Sequence, residues 1–213
     1  MIRTEHVQAY LERLRPERDE LLAEMEALAE RERVPIVEWE TGRFLATLVR
    51  ALDPQRVLEV GTAIGYSTVH IARELGANGR VITLERDPKR IAAARGFWER
   101  DGIADRIELL EGDALESLRR LDGPFDIVFL DATKWEVGDY LDRLHGKFAE
   151  RCVLLIDNLL MSGYVAVPDG RQTHWTPESL AAGRAAAQQL MASDEWLFSL
   201  LPIGDGVGFG VRR

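Results

Sequence analysis

The chain of 213 residues has no run approaching the roughly 20 consecutive apolar residues that a membrane-spanning helix needs, so no membrane association is expected. Its first twenty residues, MIRTEHVQAYLERLRPERDE, are charged throughout and lack the apolar stretch of a secretory signal. Cysteine is nearly absent: Cys152 cannot form an internal disulfide, and its place in the apolar run CVLLID reads as core packing rather than catalysis. A cytoplasmic location is the default expectation. The four histidines, His6, His70, His145 and His174, lack ligand spacing and read as isolated surface or partly packed residues. Basic charge is in deficit, with 27 Lys and Arg against 36 Asp and Glu, a net charge of −9. That weighs against sequence-independent nucleic-acid binding, which depends on neutralising phosphates. Repeats, low-complexity tracts and linkers are missing too. One domain is expected, with a helical cap over residues 1–53 and an α/β core over 54–213.

What is present is a change of period. Residues 17–32 carry Leu21, Leu22, Met25 and Leu28 at helical spacing. The segment VPIVEWETG interrupts with Pro35 and Gly42, and a second helical stripe runs from Phe44 to Leu52. From Arg56 onward, short apolar runs alternate with amphipathic helices. The runs are 56–60, 80–85, 106–111, 125–131 and 151–156, rich in Val, Ile and Leu without clean alternation, as strands buried on both faces should be. Asp87-Pro88 and Asp113 with Glu116 mark helix starts. The alternation predicts a mostly parallel sheet with helices on both faces. The end differs: EWLFSLL and GVGFGV alternate around PIGDG, predicting a terminal antiparallel hairpin. Residues 161–177 form a long, turn-rich connection of the kind that serves function.

After the first strand comes Glu59-Val60-Gly61-Thr62-Ala63-Ile64-Gly65-Tyr66-Ser67, opening a helix. Glycines at such a turn let the backbone bend sharply and approach a ligand. The spacing is Gly-x-x-x-Gly with an acid two residues earlier, which disfavours the Gly-x-Gly-x-x-Gly dinucleotide site and hence a nicotinamide oxidoreductase. The second strand ends in Glu85, where an acid can accept both hydroxyls of a ribose. Gly112-Asp113-Ala114, after the third strand, lies at the same edge and can border the base.

Asp131 ends the fourth run, and Asp157-Asn158 end the fifth. Two carboxylates and an amide oxygen at one sheet edge are hard ligands suited to Mg²⁺. Lys134, three residues beyond Asp131, is the candidate base, since a nearby dication and partial desolvation both lower a lysine's pKa. Trp39, Trp135, Tyr164 and Trp175 fall in loops or element ends near that edge and read equally as walls for an acceptor or as core or interface aromatics.

Taken together, VLEVGTAIGYST, VITLERD, EGDAL, FDIVFLDATK, LLIDNLL and IGDGVGFGVRR resemble the class I methyltransferase fold, and specifically the catechol and caffeoyl-CoA type of cation-dependent O-methyltransferase. The resemblance runs from about Val34 to the C-terminus. It implies a Rossmann-like sheet of seven strands with the last inserted antiparallel, S-adenosylmethionine as donor, a divalent ion such as Mg²⁺, a small hydroxylated aromatic acceptor and a homodimer. It further implies that Glu59, Gly61, Thr62 and Ser67 hold the methionine part, with Val37 touching its carboxylate through the backbone. Glu85 would bind ribose, Ala114 would border adenine, and Asp131, Asp157 and Asn158 would hold metal, with Asp131 also near the methionine amine. Lys134 matches the proton-abstracting lysine, so Lys134 and Asp131 are the expected catalytic pair. One departure touches substrate preference: many bacterial relatives read Asp-Ala-Asp-Lys, where this chain has Thr133 in place of the second Asp.

The same enzyme class leaves a second acceptor open, a hydroxylated uridine in tRNA, with Arg3, Arg13, Arg15 and Arg18 as a local basic face against the −9 charge. A non-catalytic cofactor-binding module is disfavoured by the joint presence of Asp131, Lys134, Asp157 and Asn158.

Overall fold

The computed structural model describes residues 4–167, 173 and 175–213. Each apolar run becomes a strand: β1 (Arg56–Val60), β2 (Arg80–Glu85), β3 (Ile107–Glu111), β4 (Phe125–Leu130) and β5 (Phe148–Ile156), followed by β6 (Trp196–Leu201) and β7 (Val207–Arg212). They form one sheet in the order β3-β2-β1-β4-β5-β7-β6. The first five strands pair in parallel, and β7 runs antiparallel to both β5 and β6. The strand order reverses between β1 and β4, the place where a crevice opens beyond the carboxyl ends of the strands.

The helices are α1 (Glu5–Leu14), α2 (Glu20–Glu32), α3 (Trp39–Leu52), α4 (Tyr66–Ala72), α5 (Pro88–Asp101), α6 (Ala114–Arg120), α7 (Val137–Leu144) and α8 (Pro177–Met191). Successive residues of a strand point to opposite faces, and the two faces carry separate cores. Val57, Val81, Ile127 and Leu155 pack with Met25, Leu45, Val69 and Phe97, from α2 to α5. Leu58, Ile82, Val128 and Leu154 pack with Leu118, Val137, Tyr140 and Leu190, from α6 to α8. Both helix starts hold as expected. Asp87 accepts from Lys89 N and Arg90 N at 2.8 and 3.3 Å, with Pro88 in the first turn, and Asp113 accepts from Glu116 N at 3.1 Å. In β7, Gly208 and Gly210 leave room for the Phe198 ring, which a Cβ at Gly208 would meet at 2.7 Å.

Four local expectations change. Gly42 does not break the chain but sits inside α3, because a Cβ there would stand 2.6 Å from the His70 ring and only glycine admits the imidazole. Burial on both faces fails for β3, an outer strand of the sheet, in which Ile107, Leu109 and Leu110 are half-buried and Glu108 and Glu111 exposed. β5 begins at Phe148 rather than 151, and its pairing with β4 shifts register between Phe125 and Ile127. Within the long connection, Met161–Ala166 is 3-10 helical, with Ser162 and Gly163 at positive φ; residues 168–172 and 174 lie outside the described set, as does Arg3.

Candidate functional site

The parallel register places the ends of β1, β4 and β5 side by side. Asp131 N donates to Val60 O at 2.8 Å, and Asp157 N donates to Leu130 O at 3.1 Å. Since Val60 pairs with Leu130 and Leu130 with Ile156, the next residues along are Gly61, Asp131 and Asp157 on three adjacent strands. Neighbouring strands lie about 4.8 Å apart, so the two carboxylates start from backbones close enough to share one ion. Asp157 is only 2% exposed, while Asp131 and Asn158 are half-buried, and both of these line the cleft. Asn158 has a φ of 55°, turning the chain sharply where β5 ends.

Gly61 has a φ of 105°, and a Cβ there would stand 2.2 Å from the carbonyl oxygen of Asp131. The amides of Gly61 and Thr62 both donate to Leu84 O, at 3.2 and 3.1 Å, folding the turn over the end of β2. Beneath it lies Glu59, with no exposed surface, accepting from Ser67 Oγ at 2.6 Å, Thr68 Oγ1 at 2.5 Å and Thr83 Oγ1 at 2.6 Å. Thr83's only proton is spent there, so the Thr62 hydroxyl, 2.6 Å away, donates to Thr83. Burial pushes the Glu59 carboxyl up to about 7, against the three hydroxyl bonds that pull it down. Glu59, Thr62 and Ser67 thus brace the turn from below, and it is Gly61 and Ala63 that reach the cleft.

Glu85 is oriented before any ligand arrives. Oε2 accepts from Ala63 N at 2.8 Å, and Oε1 accepts from Arg86 N and Asp87 N at 2.9 and 3.0 Å. Three of the carboxylate's roughly four lone-pair sites are thus taken, and the one left on Oε2 can accept from a ribose hydroxyl. Across the cleft lies the turn Gly112-Asp113-Ala114. The cavity between holds about 350 Å³, within the range of small-molecule sites.

Not every expected residue reaches this cavity. Val37 is buried just ahead of α3, and from its segment it is Pro35 that lines the cleft. Lys134 opens a 3-10 turn, Lys134–Glu136, and its side chain lies outside the described set. Of the four aromatic candidates, Trp135 (63% exposed) and Trp175 line the cleft. Tyr164 is not among its lining residues, and Trp39 packs elsewhere, donating to Glu12 Oε1 at 3.0 Å with the Arg15 guanidinium over its ring. Arg15 and Arg18 both bind Glu26, at 2.5 Å each, so they do not form the expected open basic face. Arg86, Arg90, Glu136 and Tyr140 also line the cleft, and sequence reasoning missed them. The apolar stripe of α7 does mark Tyr140 as inward-facing, but nothing in the sequence points the turn before it at a ligand. Cys152 is fully buried, its thiol pushed up to about 12, as core packing requires.

Among the described residues no three His, Cys, Asp or Glu side chains cluster as metal ligands. The set at this edge contains two carboxylates, its third member being the Asn158 amide, a donor set that fits a hard divalent ion completed by waters or substrate oxygens. Among the described residues, no helix is long and apolar enough to cross a membrane.

A family model described as O-methyltransferase matches residues 13–213. The catechol O-methyltransferase of Mycobacterium tuberculosis is 41% identical over 128 residues, which span 60% of this chain and 58% of that protein, less than two thirds of its length. The catechol O-methyltransferase of Niastella koreensis is 36% identical over 154 residues, 70% of each chain. Among solved structures, the O-methyltransferase of Bacillus cereus in complex with SAH superposes with a TM-score of 0.85 at 28% identity, covering 100% of both chains. A methyltransferase of Geobacter sulfurreducens gives 0.85 at 29% identity, covering 99% of this chain and 98% of its own. Sheet order, the turn beneath which Glu59 is sealed, and a match across nearly the full length agree that the chain belongs to the O-methyltransferase family, S-adenosylmethionine-dependent enzymes of the catechol and caffeoyl-CoA type.

Proposed function

We propose that the protein transfers the methyl group of S-adenosylmethionine to one hydroxyl of a small aromatic vicinal diol, with a divalent cation held by Asp131, Asp157 and Asn158. The observation that carries this is the register: Asp131 and Asp157 end adjacent parallel strands, next to the Gly61 turn. The names of the M. tuberculosis and N. koreensis relatives support the aromatic diol. A bound cation supplies Lewis acidity, lowering the pKa of a hydroxyl that it contacts.

The remaining work falls to the chain's own residues. Glu85 accepts a ribose hydroxyl, and Gly61 lets the methionine arm pass close to the backbone. Asp131, which lines the cleft, draws the methionine amine. Ala114 borders the adenine. Lys134 takes the proton from the acceptor hydroxyl; the oxygen then bonds the methyl carbon as the carbon–sulfur bond breaks and its electron pair stays on sulfur. Trp135 and Trp175 flank the mouth and exclude water from an aromatic acceptor. The protein contributes mainly position and charge placement.

The test is methyl transfer from S-adenosylmethionine to a catechol panel and to bulk tRNA, after chelation and with Mg²⁺ restored. Turnover of a catechol that vanishes with chelator and returns with Mg²⁺ is expected. Equal rates with and without the ion would remove the metal from the proposal, and transfer to tRNA alone would replace the acceptor.

A further inference from the structure

A carboxylate with no part in metal holding or proton transfer lines the nucleoside end of the cleft. Glu136 stands at the junction of the 3-10 turn and α7, in the N-cap position, yet its side chain makes no capping bond. Its Oε2 instead accepts the Tyr140 hydroxyl at 2.5 Å. Tyr140 is 1% exposed, and burial together with Glu136 holds its phenol above the usual range, so it remains a donor. One oxygen of Glu136 is therefore held by Tyr140, the half-buried side chain lines the cleft, and among the described residues no side chain donates to its other oxygen.

The surroundings say what that oxygen can meet. A ribose on Glu85, with its sulfur arm directed to Gly61 and Asp131, must send its base the other way. That space lies between Gly112–Ala114 after β3 and the turn after β4, brought together by the packing of α6 against α7. The other acid there, Asp113, uses one oxygen to cap α6 through Glu116 N and is exposed, so water competes for the other. Glu136, half-buried and held by Tyr140, is the better-placed acid to read the edge of the base. An acceptor-only carboxylate suits an exocyclic amino group and opposes a ring carbonyl.

We propose that Glu136, positioned by Tyr140, accepts a hydrogen bond from the adenine amino group and selects adenosyl donors over other purine nucleosidyl ones. This rests on the adenosyl donor assigned above. The experiment measures dissociation constants by calorimetry for S-adenosylhomocysteine and for its analogue with hydrogen in place of the amino group. The wild-type protein should prefer the amino-bearing ligand by about tenfold or more, the worth of a hydrogen bond to a charged group. Glu136→Ala should bring the ratio within about twofold of unity, and Tyr140→Phe should give an intermediate value. Because both ligands are compared in each variant, a general loosening of the site leaves the ratio unmoved. A wild-type protein without preference, or a ratio that survives Glu136→Ala, overturns the proposal while leaving the donor intact. Failure of the wild type to bind S-adenosylhomocysteine at all would sink both. The wild-type ratio needs no variant, so the proposal stays exposed even if Glu136→Ala fails to fold.

Discussion

The space a Cβ would take at Gly61 is filled by the carbonyl oxygen of Asp131, 2.2 Å from where that carbon would stand. The turn proposed to bind the donor and the strand end proposed to hold the metal thus pack directly against each other. Gly61→Ala combines a positive-φ penalty of about 1–3 kcal/mol with a clash against backbone, which cannot rotate away. The expected outcome is a loss of S-adenosylhomocysteine affinity and of the Mg²⁺ response together. Calorimetry and metal-titrated turnover on the same variant check it; loss of one without the other would uncouple the two sites.

Glu59 makes a different kind of prediction, about pH. Its folded pKa is raised from 4.5 to about 7 by burial, so between these values the folded protein holds a proton that the unfolded chain releases. Its contribution to stability is therefore present at low pH and lost as pH rises through that window. At 1.36 kcal/mol per unit, the span amounts to about 3 kcal/mol. Glu59→Gln keeps the shape and cannot ionise, so its stability relative to wild type should improve between pH 4.5 and 7.5. Urea unfolding at the two pH values measures this, and a constant difference would mean that Glu59 does not titrate on folding.

The sheet and the ends of its strands were legible because they obey short-range rules. An apolar run of five or six residues followed by an acid marks a buried strand and its exit, which located Glu85, Asp131 and Asp157. Side-chain direction within turns obeys no such rule. Arg86 and Glu136 reach the cleft because of how α5 and α7 dock, which is set by long-range packing. Gly42 misled for a related reason: its vacancy is filled by His70, 28 positions away, and a helix interior can absorb glycine's cost of about 1 kcal/mol where a ring takes up the space. The sequence places Glu59 beside the glycine turn, but its burial beneath three hydroxyls is visible only once α4 is folded onto β1 and β2.

Asp157→Asn keeps the side chain's volume at a 2% exposed position and removes one anionic ligand. A hard dication held by one carboxylate and two amides loses much of its electrostatic attraction. Turnover at fixed Mg²⁺ should fall about a hundredfold or more, near 2.7 kcal/mol in the barrier, with S-adenosylhomocysteine affinity changed far less. Part of the loss should return at high Mg²⁺. If turnover is unaffected, Asp157 is not a metal ligand.

His70 opposes Glu59 in the same pH range. Its ring packs edge-on against Tyr66 at 5.0 Å, and burial, with Arg73 and Arg43 nearby and Glu26 and Asp19 in partial opposition, lowers its pKa from 6.5 to about 4. Here the unfolded chain binds the extra proton, so stability falls as pH drops from 6.5 towards 4. The span is again near 2.5 units, about 3 kcal/mol, with the sign reversed. Between pH 4.5 and 6.5 the two groups largely cancel, and the wild type gains little net slope from either. His70→Leu, which fills the same pocket without a charge, should expose the Glu59 slope and become relatively more stable on acidification. Glu59→Gln should expose the His70 slope and become relatively less stable. Unfolding free energies of the two single variants and the double variant across that range decide the matter: the singles must diverge with opposite signs, and the double must run parallel to wild type. Parallel curves for all four would show that neither buried group changes its protonation on folding.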